Sequence, residues 1–461
     1  MSGAGAAAAT STLNPVSGDN YAYVASYTSV KWIGNLEKRG IDTTTGEVSE
    51  KAVWCAENIL AGTCTAPSVL SNETVNNSPV TYCVTSGQST CPGGILVGTS
   101  CKVEIPGACA GTLPSKVGLT TDTRTIKVKS GNALVDFDDA FAAANPGYFD
   151  ASKLANLSQW GALDSTQKAQ AVGSGILNYL RGRKGNEDTA SNAVADRLFR
   201  YREAVLGDLI EAKPNYMGKP KFSYVDPGYA EFVVAKTNRA GTVYAAANDG
   251  MLHAINAANT TALGGGAELF TYVPNAVIPN LKNLANPDYQ HQYFVDGSPN
   301  SGDAYLGSAW KTVLLGTLGA GGKAVFALDI TDPDLFDETK VMWEFTDATD
   351  LGNIMSRAFV ARMNDGNWYA VFGNGYNSTS KKAVLFMVPL DKSLGLPVVK
   401  ISAPWATGHD NGLSEPALLD EDGDRIIDTI YAGDLKGNVW KFDVSDNSTG
   451  NWEIAYQASG N

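Results

Sequence analysis

Charge is scarce in this sequence: Asp, Glu, Lys and Arg make up only 18% of the 461 residues, and the balance is acidic, with a formal net charge of −13. A chain without a basic surplus has no general means of neutralising phosphates, which argues against a nucleic-acid partner. Long apolar runs are missing too, and no stretch approaches the roughly 18 residues of a membrane-spanning helix. Histidine occurs only as His253, His291 and His409, with no H-x-x-x-H pair, and each reads as a structural histidine with its hydrogen bonds met. No Cys-x-x-Cys pair and no Gly-x-Ser-x-Gly elbow is present, so the common zinc, thioredoxin-like and hydrolase signatures are absent. Residues 1–12 are rich in Ala, Gly, Ser and Thr, without the basic start and apolar core of a signal peptide. An exported protein would carry its leader ahead of residue 1.

What is present is Gly (48 residues), Tyr (19) and Trp (9), a composition that suits a β-rich extracellular protein better than a helical cytosolic one. All six cysteines, Cys55, Cys64, Cys83, Cys91, Cys101 and Cys109, fall in one Thr/Ser/Gly/Pro-rich segment. An even number so clustered reads as up to three disulfides stapling a small loop-rich unit in an oxidising compartment, against the alternative of reduced, inert thiols. Six cysteines allow 15 connectivities, and the spacing does not choose among them.

A strand-like alternation opens the chain at Tyr21–Tyr27, with a polar turn at Thr43–Gly46. Further on, Phe137, Phe141, Leu154, Leu157, Trp160, Ile176, Leu177 and Leu180 recur at helix-compatible spacing, which predicts several short helices. From residue 206 a degenerate unit repeats: an apolar strand, a tight Gly/Asn/Asp turn, and a second strand ending at Asn, Asp or Pro. Its copies begin at Val243, Lys311, Trp368 and Thr429, and their second strands at Leu252, Val325, Leu385 and Val439. A repeated hairpin signals propeller blades, since one blade cannot bury its own faces. An irregular β-sandwich would not repeat one hairpin four times. The expected organisation is a low-complexity start and first propeller strands (1–51), a cysteine-rich insertion (52–118), a mainly helical segment (119–205) and blades (206–461).

The sharpest local pattern is the run from Asp420 to Asp428, with aspartates at positions 1, 3, 5 and 9. Calcium takes six to eight oxygen ligands, and alternate positions of a curled loop turn inward. Asp420, Asp422 and Asp424 would give side-chain oxygens, Ile426 its backbone carbonyl, and Asp428 a carboxylate or a water bridge. The run resembles the front of an EF-hand loop, but its Gly is displaced, position 12 is not acidic, and a strand follows in place of a helix. Four carboxylates so close would repel one another without a cation, which disfavours a plain acidic turn. The Gly316–Gly322 run before Lys323 lacks the Ser/Thr of a phosphate loop and reads as a hairpin turn.

The block Tyr431–Asp443, directly after the Asp run, closely resembles the most distinctive block of the PilC/PilY1 family of type IV pilus tip proteins. Further blocks are similar in the same order: Tyr179–Gly182, Leu206–Asp208 with Pro214, Ala247–Ala254, Tyr293–Pro299, Leu315–Pro333 and Phe372–Ser378. The resemblance implies a mainly β fold, a modified, quinoprotein-like β-propeller that is incomplete at the C-terminus of this chain, with a disulfide-rich insertion and a short helical segment. It implies Ca2+ as cofactor at Asp420, Asp422, Asp424, Ile426 and Asp428, and no enzymatic activity. It further implies export through the periplasm to the pilus tip at the cell surface, with minor and major pilins and a host or abiotic surface as partners. The function would be surface adhesion and control of pilus assembly and retraction. The cysteine-rich segment has no counterpart in this resemblance. Two other readings remain. Ala327–Pro333 with Trp343, and Phe442–Asp446 with Trp452, look like the tryptophan-docking repeats of quinoprotein dehydrogenases, although an Asp run that satisfies the ion by itself leaves little open coordination for a quinone. A generic extracellular propeller binding carbohydrate or protein is the third reading.

Overall fold

The computed structural model describes residues 7–10, 20–28, 31–58, 67–75, 78–92, 94–104, 109–131, 133–220, 222–337, 339–404 and 410–455. Cys64, His409 and most of the Ala/Gly-rich start lie outside these residues. The described chain is mainly β, and five of its sheets follow one another as blades.

The first blade pairs Ala7–Thr10, Tyr21–Thr28, Ile33–Ile41 and Val48–Cys55 in chain order. The third pairs Asn300–Leu306, Ala309–Thr317, Val325–Asp329 and Val341–Phe345; the fourth, Phe359–Arg362, Trp368–Gly373, Val384–Pro389 and Val399–Ser402; the fifth, Ala417–Leu419, Thr429–Gly433, Val439–Asp443 and Glu453–Ile454. All neighbours in these blades are antiparallel. The second blade is larger. Asn215–Met217, Thr242–Ala247, Met251–Asn256 and Glu268–Val273 form its antiparallel meander, and Ile126–Ser130 then adds in parallel beside Glu268–Val273, followed by Ala133–Asp136. The segment expected to be mainly helical therefore begins with two strands. Their alternating Ile126, Val128 and Leu134 are buried, so that a period of two, not 3.6, governs this stretch.

The four hairpins seen in the sequence are the central strands of the second to fifth blades. In the second to fourth blades the inner strands are buried on both faces, as Thr242–Ala247, Trp368–Gly373 and Val384–Pro389 show, which explains why they read as continuous apolar runs; in the fifth, Val439–Asp443 is only partly buried. Gly250 closes the second-blade hairpin at φ 91°, a conformation that glycine adopts without penalty.

Each blade buries its faces against the next. Tyr23, Leu36 and Trp54 of the first blade share a core with Val243, Ala245 and Ile255 of the second. Val313, Leu315 and Trp343 of the third meet Phe372, Phe386 and Val388 of the fourth. Tyr369, Leu385 and Met387 of the fourth meet Ile430, Ala432 and Phe442 of the fifth. The short helices, among them Asp139–Ala144, Ser165–Ala171 and Ser174–Leu180, place Phe141, Ile176 and Leu180 in the core that the second and third blades share.

Aromatic residues on the last strand of a blade tie it to its neighbour. The Trp54 indole N–H donates to Ala258 O at 3.0 Å, and Trp343 donates to Leu390 O at 3.2 Å. Both acceptors follow the third strand of the next blade. Phe270 of the second blade stacks on Phe336 at the corresponding place in the third, with centroids 3.6 Å apart.

The cysteine-rich segment holds a separate four-stranded sheet of Val69–Val75, Ser78–Thr85, Ser100–Glu104 and Ile95–Val97. Cys55 pairs with Cys109 and Cys91 with Cys101, Cys83 is also disulfide-bonded, and no described cysteine is free. Glu57 anchors the segment's entry, its carboxylate accepting from Val205 N at 2.7 Å and Leu206 N at 2.9 Å. Among the described residues no helix is long and apolar enough to cross a membrane.

Trp343 is 4% exposed. Trp343→Ala should destabilise the protein by about 3–5 kcal/mol through the cavity it leaves. Trp343→Phe should cost only about 1–3 kcal/mol, since it keeps most of the volume and strands the Leu390 carbonyl. Urea unfolding of both variants measures the difference, and equal losses would remove the indole N–H from the account.

Candidate functional site

The Asp run is the loop that joins Ala417–Leu419 to Thr429–Gly433 in the fifth blade, closed by Asp428 N–H donating to Leu419 O at 2.9 Å. Asp420 organises it. Its Oδ1 accepts from Gly423 N at 2.6 Å and Asp424 N at 3.1 Å, and its Oδ2 from Arg425 N at 2.9 Å. The loop curls through Gly423 (φ 87°) and Arg425 (φ 73°), both in the left-handed region. Burial works against the Asp420 carboxylate, yet these three N–H groups hold its pKa below the ordinary value.

Curling brings Asp420, Asp422 and Asp428 together, with one oxygen of each within 4.8 Å of the others. Asp424 is not in that group, and its Oδ1 accepts from Ile426 N at 2.7 Å. Ile426 is half-buried at the closing end of the loop. Glu421 turns away, and its Oε1 accepts from the Thr429 hydroxyl at 2.7 Å. The loop also grips the fourth blade. Ile427 N donates to Arg362 O at 3.0 Å, while Asn364 Nδ2 reaches Ile427 O at 3.0 Å, Asp428 Oδ1 at 3.2 Å and Val444 O at 3.1 Å. A set of hard carboxylate oxygens converging at an exposed loop suits a hard divalent cation such as calcium, and offers nothing to a soft metal.

The next turn of the same blade is held by Asp434. Its carboxylate accepts from Asn411 Nδ2 at 2.9 Å, Trp440 Nε1 at 2.9 Å and Asn438 N at 2.9 Å. Burial opposes the charge, but these donors bring its pKa down to about 2. The distinctive Tyr431–Asp443 block is thus a self-bonded hairpin turn.

A second polar assembly escaped the sequence reading. Asp208, Asn248 and Asp296 are all buried and meet at one amide: Asn248 Nδ2 lies 2.8 Å from Asp208 Oδ2 and 3.5 Å from Asp296 Oδ1. His291 Nε2 lies 2.9 Å from Asp208 Oδ2. The other oxygen of Asp296 has no partner among the described residues. Burial, with Glu211 and Asp208 adding repulsion, pushes Asp296 up to about 7 against donors from Glu211 N and Asn248. Asp208, Asn248 and Asp296 each sit in one of the similar blocks, Leu206–Asp208, Ala247–Ala254 and Tyr293–Pro299, which is the signal that could have marked them. Beside this assembly, His253 bridges Glu268 at 2.8 Å and Asp249 at 3.0 Å, and Glu268 holds Arg124 in a two-point pair at 2.8 and 2.9 Å. Burial opposes the His253 charge, but the two carboxylates carry its pKa up to about 9. Both described histidines are therefore bonded to carboxylates.

A family model described as the PilY1 β-propeller domain matches residues 206–455, a span that holds the Asp loop, Asp434 and the Asp208–Asn248–Asp296 assembly. The chain belongs to the PilY1 β-propeller family. Among its relatives, a type IV pilus biogenesis factor PilY1 homolog of Xylella fastidiosa is 40% identical over 308 residues, covering 61% of this chain and 20% of that protein. The type IV pilus biogenesis factor PilY1 of Pseudomonas aeruginosa is 38% identical over 297 residues in one strain, covering 62% of this chain and 24% of that protein. In another strain it is 36% identical over 365 residues, covering 73% and 30%. The crystal structure of the P. aeruginosa PilY1 C-terminal domain is 34% identical and covers 52% of this chain and 51% of that one, with a TM-score of 0.44. The chain thus spans between a fifth and a third of the length of these curated relatives.

The Asp296 assembly carries a pH dependence. Its folded pKa of about 7 stands above the ordinary 3.8, so its contribution to stability is fully present below pH 3.8 and is lost as pH rises through about 7. Asp296→Asn removes the buried charge and keeps the shape. It should raise the melting temperature at pH 8 and leave it near wild type at pH 4; equal effects at both pH values would contradict the assignment.

Proposed function

We propose that this chain is the calcium-binding propeller part of a type IV pilus biogenesis factor, acting at the pilus tip on the cell surface. Family membership supports the pilus assignment, and the single observation behind the calcium assignment is the convergence of Asp420, Asp422 and Asp428. In this reading those carboxylates, with the Ile426 carbonyl and Asp424, hold the ion. The chain's own residues then act mechanically. The ion neutralises the loop's repelling carboxylates, the loop stays fixed to Arg362 and Asn364, and the fifth blade is held on the fourth. Minor and major pilins are the proposed partners within the pilus, and a host or abiotic surface is the proposed adhesion target, with retraction responding to the calcium-dependent stiffness of this part. The role requires no catalysis. The tryptophans that suggested a quinoprotein act as structural ties: Trp343 binds a carbonyl of the next blade, and Trp452 Nε1 donates to Asp446 O at 2.7 Å.

Asp422 is the exposed member of the group, and among the described residues its side chain accepts only from Asp424 N at 3.1 Å, which makes it the variant least disturbing to the fold. Calcium at a thousandfold excess over its dissociation constant should stabilise the wild-type chain by about 4 kcal/mol. Asp422→Ala should lose most of that gain and melt near the wild-type temperature in chelator. Calorimetry with thermal melting reads both, and calcium-independent melting of the wild type would sink the metal assignment. The pilus assignment is tested separately: deleting the gene should remove surface pili and restoring it should return them, and normal piliation in the deletion strain would refute it.

A further inference from the structure

We propose that the cleft between the first blade and the segment at residues 200–208 binds an acidic pyranose, a uronate unit of a polysaccharide. The inference rests on that cleft alone, and neither the calcium loop nor the pilus reading enters it. The cleft has a volume of about 280 Å³, room for a ligand of one to two sugar rings, and its lining includes Trp32, Arg200, Tyr201, Glu203, Asp249 and Tyr289.

Trp32 sits at the tip of the first-blade hairpin with φ 53°, in the left-handed region that bulky residues avoid. The tip is pinned on both sides, by Trp32 N–H donating to Thr28 O at 3.0 Å and Gly34 N–H to Leu206 O at 3.2 Å. The indole lies on the His291 ring, with centroids 3.9 Å apart, and His291 is itself fixed by Asp208 at 2.9 Å and by the edge of Tyr293 at 4.9 Å. A half-exposed indole on a rigid support is a ready platform for a sugar ring, whose C–H bonds present partial positive charge to the negative aromatic face. Strain at such a platform is the kind retained where a ligand is gripped.

Arg200 supplies the charge selection. Its Nε donates to Leu284 O at 3.0 Å and its guanidinium lies over the Tyr289 ring at 4.4 Å, so the group is held in place. The cations around it are spent, with Lys31 on Glu203 at 2.7 Å and Arg202 on Glu187 at 2.8 Å. Among the described residues no carboxylate pairs with Arg200. A fixed planar guanidinium with unused ion-pairing capacity matches a carboxylate. Glu203 and Asp249 offer acceptors for sugar hydroxyls. The same acids disfavour a doubly charged phosphate more strongly than a singly charged carboxylate, and a peptide anchor would call for a mainly apolar pocket, whereas here Arg200, Glu203 and Asp249 are mixed with Ile33, Leu206 and Leu284.

The test is calorimetric titration of the full chain with digalacturonate and with the neutral digalactose, for the wild type, Arg200→Gln and Trp32→Gly. Glycine is favoured at φ 53°, so Trp32→Gly should keep its melting temperature while losing the platform. The wild type should bind digalacturonate saturably, at least about tenfold more tightly than digalactose. Arg200→Gln should erase that preference, and Trp32→Gly should abolish binding of both sugars. The proposal is overturned by no saturable binding of digalacturonate to the wild type, by equal binding of the two sugars, or by binding that survives both substitutions.

Discussion

The central strands of the second to fourth blades are apolar on both faces, and the stacking of the blades follows from the need to cover them. Strands such as Thr242–Ala247 and Val384–Pro389 are buried along their whole length, so none of these hairpins would be stable in isolation. Each interface is a shared aliphatic and aromatic core, and the first three blades close theirs with an aromatic side chain from the last strand, Trp54, Phe270 or Trp343. Where that side chain is Trp54 or Trp343, its indole N–H also satisfies a carbonyl of the next blade. Stability in such an array is close to a sum of blade and interface contributions, so loosening one junction is felt first by its two neighbours.

The same stacking buries polar residues at the blade connections, and these must be satisfied or pay in desolvation. Arg124, Glu268, His253 and Asp249 achieve this as an alternating chain of opposite charges that joins the helical segment to the second blade. Asp208, Asn248 and Asp296 do so only in part, because one amide is shared between two carboxylates and one Asp296 oxygen is left over. Burial, which these few donors do not offset, with repulsion from Glu211 and Asp208, pushes the Asp296 pKa up to about 7.

The central hairpins were legible because a strand buried on both faces writes itself as an unbroken apolar run. The edge strands were not: Asn215–Met217, Ala417–Leu419 and Glu453–Ile454 are two or three residues long and exist by pairing. Nor was the parallel pairing of Ile126–Ser130 with Glu268–Val273, which joins distant parts of the chain without a local turn signal. The convergence of Asp420, Asp422 and Asp428 was legible because it is a matter of spacing within nine consecutive residues, whereas Asp424 Oδ1 accepts from Ile426 N and stays outside that group. The Asp208–Asn248–Asp296 meeting spans separations of 40 and 48 residues, so its parts could be marked by the resemblance but their convergence could not. The cleft around Trp32 depends on five separated stretches and was invisible for the same reason.

The proposed calcium loop acts at the junction of the fourth and fifth blades. The fifth blade has an exposed Val439 and Leu435 and short outer strands, and its loop is bonded to Arg362 and Asn364 of the fourth. An ion there would therefore set how firmly the two blades hold together. Amide hydrogen exchange with and without calcium tests this most directly. The account predicts slower exchange at Gly423, Asp424, Arg425 and Ile426 and along Thr429–Asp443, with the first three blades unchanged. Unaltered exchange in the loop and hairpin, or a uniform slowing across all five blades, would contradict it.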